Sequence, residues 1–217
     1  MEVVLRKFIW MSSGFAAMVM MSGCSSGSVD ELEQHLAQLE EEYGVNYTVE
    51  EVETSADTDL TFEEFLDVLE DQAHLMEAMI HEENWHEEES EPVGTAESGT
   101  ATKTHTFHYE TTDSFNPDVD YDNINKHISF KYDADAEVGS TVAAFTDVSE
   151  ENSYLTGSVP NLEWEELNSH SSISSNGESL DLEATGTLTL TTEWEEFVVV
   201  FSMDDEWEMV FDASQLD

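Results

Sequence analysis

The sequence predicts an α+β protein in which a helical segment precedes a C-terminal antiparallel β-sandwich. Three observations carry this. Apolar residues recur at three- and four-residue intervals between Leu32 and Ile80, the period of helices with one buried face. From Thr104 the period falls to two, as in Ile128, Phe130 and Tyr132, which half-buried strands require. Between these halves, residues 87–103 are acidic first, then rich in Gly, Thr, Ser and Ala after Pro92, without apolar periodicity, and read as a linker.

Taken in order, the chain opens with Arg6 and Lys7, an apolar run over residues 8–21, and then Ser22-Gly23-Cys24. A charged start, a short apolar stretch and small residues make an export signal. The run is shorter than the roughly 20 residues of a bilayer-spanning helix. Cys24 is the only cysteine of the chain, so no internal disulfide can form. The small-small-Cys ending resembles the lipobox of bacterial lipoproteins, with Met21 standing where Leu is commonest. The resemblance covers residues 1–24 alone. It implies cleavage before Cys24, a diacylglyceryl group on its thiol, and a cell-envelope protein held to the membrane on the exported side. The alternatives are an uncleaved N-terminal anchor, or a signal cut elsewhere with Cys24 a free thiol.

Residues 25–28 form a Ser/Gly tether. Ser28 and Glu31 make a capping box, and Leu32, Leu36, Leu39 and Tyr43 follow as one helical stripe that ends at Gly44. Val45, Tyr47 and Val49 alternate as a short strand, and residues 50–59 are an acidic connection. Thr61 with Glu64 is a second capping box. The helix after it places Phe62, Phe65, Leu66, Leu69, Ala73, Met76, Met79 and Ile80 on one broad face, widened by Val68 and Leu75. Strands are expected around Phe107, over residues 128–132 and 142–148, and at Leu162 and Trp164. Further strands are expected over 180–191, with a bend or bulge at Gly186, over 197–203, and over 207–211. Seven or eight short strands of this kind suggest a sandwich that is immunoglobulin-like in architecture, although the paired-cysteine signature of immunoglobulin domains is absent. The expected organisation is a signal over 1–23, a tether and helical segment over 24–86, the linker, and a sandwich over 104–217.

Charge narrows the partners. The chain has 51 acidic and five basic side chains. Without residues 1–23 it loses Glu2, Arg6 and Lys7. The remaining 194 residues carry 50 acids against Lys103, Lys126 and Lys131, a formal charge of −47. Such a surface repels nucleic acid, whose binding rests on Lys and Arg neutralising phosphates. It also repels anionic headgroups, so membrane attachment falls to the lipid on Cys24. Aromatic residues stay at 10%, unlike ordinary acidic disorder. The balance reads as adaptation to concentrated salt or high pH.

Four constellations carry candidate chemistry. Glu70, His74, Glu77 and His81 follow at i, i+4, i+7 and i+11, along one edge of the second helix's apolar face. They are of the type that binds Zn²⁺; the plain alternative is a solvated face, because histidines here nearly always have acids a turn away. The run from His81 to His86 has one residue too many for a zincin helix motif. Asp118, Asp120 and Asp122 resemble the start of a Ca²⁺ loop, but its turn glycine is replaced by Asn123 and its closing Glu by Ser129; a polar turn is the alternative. His105 and His108 point to opposite faces of a strand. Trp194, between Glu193 and Glu195, is a candidate for an exposed ligand surface, whereas Trp164 and Trp207 are expected in the core. The serines over 169–179, with His170, read as a hydrophilic turn.

No nucleophile elbow, phosphate-binding glycine loop or cofactor motif occurs, so no cofactor is expected beyond Zn²⁺ or Ca²⁺, and no catalytic residue can be named. The first reading is a non-enzymatic envelope lipoprotein whose sandwich binds an envelope protein or an extracellular ligand. The second is a cation-binding lipoprotein, and the third an extracellular hydrolase.

Overall fold

The computed structural model describes residues 26–52, 60–88, 92–108, 123–135 and 144–216, with side-chain surroundings from residue 29 onwards. Helix α1 spans Ser26–Tyr43, and Leu32, Leu36 and Leu39 are buried along it. Gly44 follows at φ +69°, where a side chain would be strained. Strand β1 is Asn46–Glu51. Helix α2, Phe62–Met79, starts as expected. The Glu64 amide donates to Thr61 Oγ1, and the Thr61 amide donates to Glu64 Oε2 at 2.7 Å, satisfying two of the amides a helix start leaves open. A 3-10 turn, Glu82–Asn84, leads into β2, Trp85–Glu87. There follow β3 Val93–Thr95, β4 Ser98–Phe107, β5 Asn125–Asp135, β6 Ala144–Thr156, β7 Leu162–Ile173, β8 Ser179–Trp194 and β9 Phe197–Asp212. A last 3-10 turn is Ala213–Leu216.

All pairings are antiparallel, and with two helices this makes the fold α+β as expected. One sheet runs β1-β9-β8-β7; the other runs β2-β4-β5-β6, with β3 also on β4. The long strands organise the rest. β8 and β9 have 16 residues each, about 50 Å of extended chain, and helices and second sheet share the face they bury. Leu188, Leu190, Trp194, Phe197, Val199 and Phe201 pack on α1 and α2. Leu180, Leu182, Trp207, Met209 and Phe211 pack on Ile128, Phe130, Tyr132 and Phe145 of the second sheet. The helices therefore share one apolar cluster with β8 and β9, and the two sheets close a second.

Several expectations change. The stretch read as a linker contains β2's last residue, β3 and most of β4. Its inward positions are Ala101 and Lys103, too small and too polar to show an apolar period. The strands expected over 197–203 and 207–211 are one strand, continuous through Asp204 to Glu206. The serine run belongs largely to β7, with the turn confined to residues 174–178. β8 keeps its register through Gly186, which faces Asp205. The irregularity lies opposite, in β7 at Leu167. Gly186 is required by packing, since a Cβ there would stand 2.5 Å from the Trp164 ring and from the Glu165 carbonyl oxygen. The immunoglobulin-like arrangement is not confirmed. β4-β5-β6 and β7-β8-β9 are each a meander of consecutive neighbours, one in each sheet, where immunoglobulin domains use Greek-key connections.

Where the sheets meet at β6 and β7, side chains replace a backbone ladder. Glu166 Oε2 accepts from both the amide and the hydroxyl of Ser153, and Trp164 Nε1 donates to Ser153 Oγ at 2.9 Å. Ser169 Oγ donates to the Glu151 carbonyl and Ser171 Oγ to the Glu151 carboxylate. Where the two halves of the core meet sits Lys126, 2% exposed. Its ammonium lies 3.1 Å from Asp205 Oδ2, 4.3 Å from the Trp85 ring centre and 5.3 Å from that of Trp207. It makes no hydrogen bond of good geometry, so ion pairing and the two ring faces are what hold it. Burial lowers its pKa against the opposing pull of Asp205 and Glu82.

Candidate functional site

The residues that form an opening in the fold are on α2, the end of β8 and the β6–β7 turn. Helix α2 is fixed over β8 at two points. Trp194 stacks on Phe65 with ring centres 5.0 Å apart, and Thr192 Oγ1 donates to Gln72 Oε1. The β6–β7 turn is fixed to the same strand. Asn161 takes φ +60°, which Asn tolerates better than most residues; its carbonyl accepts from the Thr191 amide and its Nδ2 donates to the Thr191 carbonyl, both at 3.2 Å. Between these walls lies a cavity of about 350 Å³, within the size range of small-molecule sites. Val68, Leu75, Val159, Pro160 and Leu190 form its apolar lining. Asp71, Gln72, Asn161, Thr191, Thr192 and Glu193 supply the polar side.

Asp71 is the half-buried acid of this lining. Burial raises its pKa, Glu70 and Asp67 raise it further, and His74 opposes them. Among the described residues no Lys or Arg lines the cavity; Lys103, Lys126 and Lys131 all lie on β4 and β5. The arrangement offers an apolar wall, neutral hydrogen-bonding groups and fixed negative charge. It offers no nucleophile paired with a base.

The candidates read from the sequence lie mostly elsewhere. At the end of α2, Glu77 Oε1 meets His81 Nε2 at 2.9 Å, and the His74 ring lies 5.6 Å from that of Tyr43. Among the described residues no three His, Cys, Asp or Glu side chains are grouped as a metal ion requires. Asp118, Asp120 and Asp122 lie outside the described residues, as does Cys24. Trp194 is not the exposed platform expected. It is 6% exposed, and Nε1 donates to the Leu60 carbonyl, because the inward alternation of β8 continues to its last residue despite the flanking glutamates. Trp207 is buried as expected and stacks on the half-buried Trp164 at 4.0 Å. His86 and His108, not paired by sequence reasoning, have ring centres 4.9 Å apart; the register of β2 on β4 brings them together, which no local spacing could reveal. The cavity was likewise missed, since its walls come from residues more than a hundred positions apart.

Comparison with protein-family models, with curated proteins and with solved structures finds no match to this chain. Among the described residues no helix is long and apolar enough to cross a membrane.

Proposed function

We propose that the protein is a non-enzymatic, lipid-anchored binding protein of the cell envelope, and that the cavity between α2, β8 and the β6–β7 turn seats its ligand. The observation that carries the binding role is the cavity, walled by elements tied to one another through Thr192, Gln72, Asn161 and Thr191. A site shaped before the ligand arrives loses less ordering entropy on binding. The lipobox-like ending at Cys24 supports the location, and a formal charge of −47 on the chain that follows leaves lipid rather than electrostatics to hold it. One acyl chain binds membranes marginally and two bind stably, which suits a diacylated cysteine.

Two variants test the halves of the proposal separately. Cys24→Ala is expected to abolish lipid labelling and detergent partitioning; unchanged partitioning contradicts the anchor. Val159→Trp, which places an indole in the cavity, is expected to abolish binding of small solutes found by thermal-shift screening of the wild-type protein. Retained binding contradicts the assignment of the site.

A further inference from the structure

From the lining of this cavity we infer that its ligand is a small organic cation, an ammonium group on a compact apolar body. The inference rests on the cavity being the ligand seat. The apolar wall of Val68, Leu75, Val159 and Leu190 calls for hydrocarbon. The volume of about 350 Å³ lies at the lower end of the range of small-molecule sites, so the body is small. The charged end follows from what the site lacks. Asp71 and Glu193 are in the lining, and no lysine or arginine of this cavity can neutralise them. All three lysines after residue 23 lie on β4 and β5, two of them buried there with their own carboxylates. Asp71 is half removed from water with like charges on the same helix. An anionic ligand would meet Asp71 and Glu193 with no lysine or arginine in the lining to offset the repulsion. A neutral one would leave Asp71 further desolvated and unpaired, which is costly. An ammonium gains a charge-assisted hydrogen bond to Asp71, while Gln72, Asn161 and Thr192 can take its remaining hydrogens.

The probes are cyclohexylammonium, cyclohexanol and cyclohexanecarboxylate, which share one apolar body. Binding is measured by calorimetry on the full-length protein in detergent at 1 M NaCl. There the Debye length is about 3 Å, and the diffuse field of the acidic surface is screened. The wild-type, Asp71→Asn and Val159→Trp proteins are compared in the same micelles, so partition into detergent cancels. The expected result is that the ammonium binds about tenfold or more tighter than the other two probes, the scale of a hydrogen bond to a charged group. Asp71→Asn removes most of that preference, with cyclohexanol bound no more weakly than by the wild type because no carboxylate is left to desolvate, and Val159→Trp abolishes all binding. If cyclohexanol or the carboxylate binds as tightly as the ammonium, or Asp71→Asn leaves the preference intact, while Val159→Trp still blocks binding, the cation inference is overturned and the cavity stands as the site. If no probe binds, or binding survives Val159→Trp, both are overturned.

Discussion

Lys126 connects the two halves of the core, and its surroundings set how it responds to substitution. Its ammonium is buried against Asp205, whose side chain is itself 6% exposed, and against two indole faces. Removing one member of such a pair leaves an uncompensated buried charge, typically costing about 3–5 kcal/mol, whereas replacing both by apolar groups of similar volume is often neutral. Lys126→Met is therefore expected to destabilise on that scale, and Lys126→Met with Asp205→Leu to recover only part of the loss, because Asp205 Oδ2 also accepts from Trp207 Nε1 at 2.8 Å, measured by urea unfolding in molar salt. A single substitution with no effect would remove the ion pair from the account. His127 makes a second residue-scale case. Its Nδ1 lies 2.9 Å from Thr104 Oγ1, its Nε2 lies 2.8 Å from Thr156 Oγ1, and its ring stacks on Tyr154. Burial lowers its pKa, and burial together with Lys103 lowers that of His105. For a base with a lowered folded pKa, the stabilisation is present above the unfolded value of about 6.5 and is lost as pH falls through the folded value. Asp71 has the opposite sign: its folded pKa is raised, so its contribution is present below the ordinary aspartate range and lost as pH rises through the folded value. An NMR titration in molar salt is expected to place the midpoints of His105 and His127 below 6.5. Midpoints at or above 6.5 would show that the acidic field outweighs burial.

At the scale of elements, the second helix was legible, the first except for its start, which lies at Ser26 inside the stretch read as a tether, and the sheets only in part. Thr61 and Glu64 announce α2 because a capping box is local chemistry, and the face from Phe65 to Met79 is buried as its spacing implies. β3 and β4 were hidden because Gly99, Ala101 and Lys103 fill inward or close-packed positions that in most sheets hold larger apolar side chains. The second half of β7 was hidden because its serines serve the seam with β6, where Glu151 and Glu166 accept their hydrogen bonds. Gly186 stood out in the sequence for a different reason from the one the structure gives. It holds no bulge; it admits the indole of Trp164, which then stacks on Trp207. Gly186→Ala is expected to cost about 1–3 kcal/mol, as overpacking does. Adding Trp164→Leu should restore only part of this, because the Glu165 carbonyl also stands 2.5 Å from the new methyl position. Thermal unfolding of the single and double variants checks both statements, and an unchanged melting temperature for Gly186→Ala would contradict the packing role.

The whole molecule is governed by charge. With 50 acids and three lysines after residue 23, folding crowds like charges and self-repulsion opposes it. Two of those lysines are spent inside the fold, Lys103 with Glu87 and Lys126 with Asp205, and Lys131 meets Glu150 at the surface, so little of the acidic exterior is neutralised. The melting temperature is expected to rise clearly from dilute buffer to molar sodium chloride. Because α1 and α2 share a core with β8 and β9, helix and sheet signals should melt together rather than the helices first. A flat salt response would contradict charge repulsion as the limiting term, and separate transitions would contradict the shared core.

The binding role and the lipid anchor meet in native mass spectrometry of the protein extracted from its membrane. The predicted result is a chain beginning at Cys24 that carries a diacylglyceryl mass and retains a small non-covalent ligand, with that ligand absent from Val159→Trp. A chain without the lipid mass, or a ligand that persists in Val159→Trp, would contradict the account.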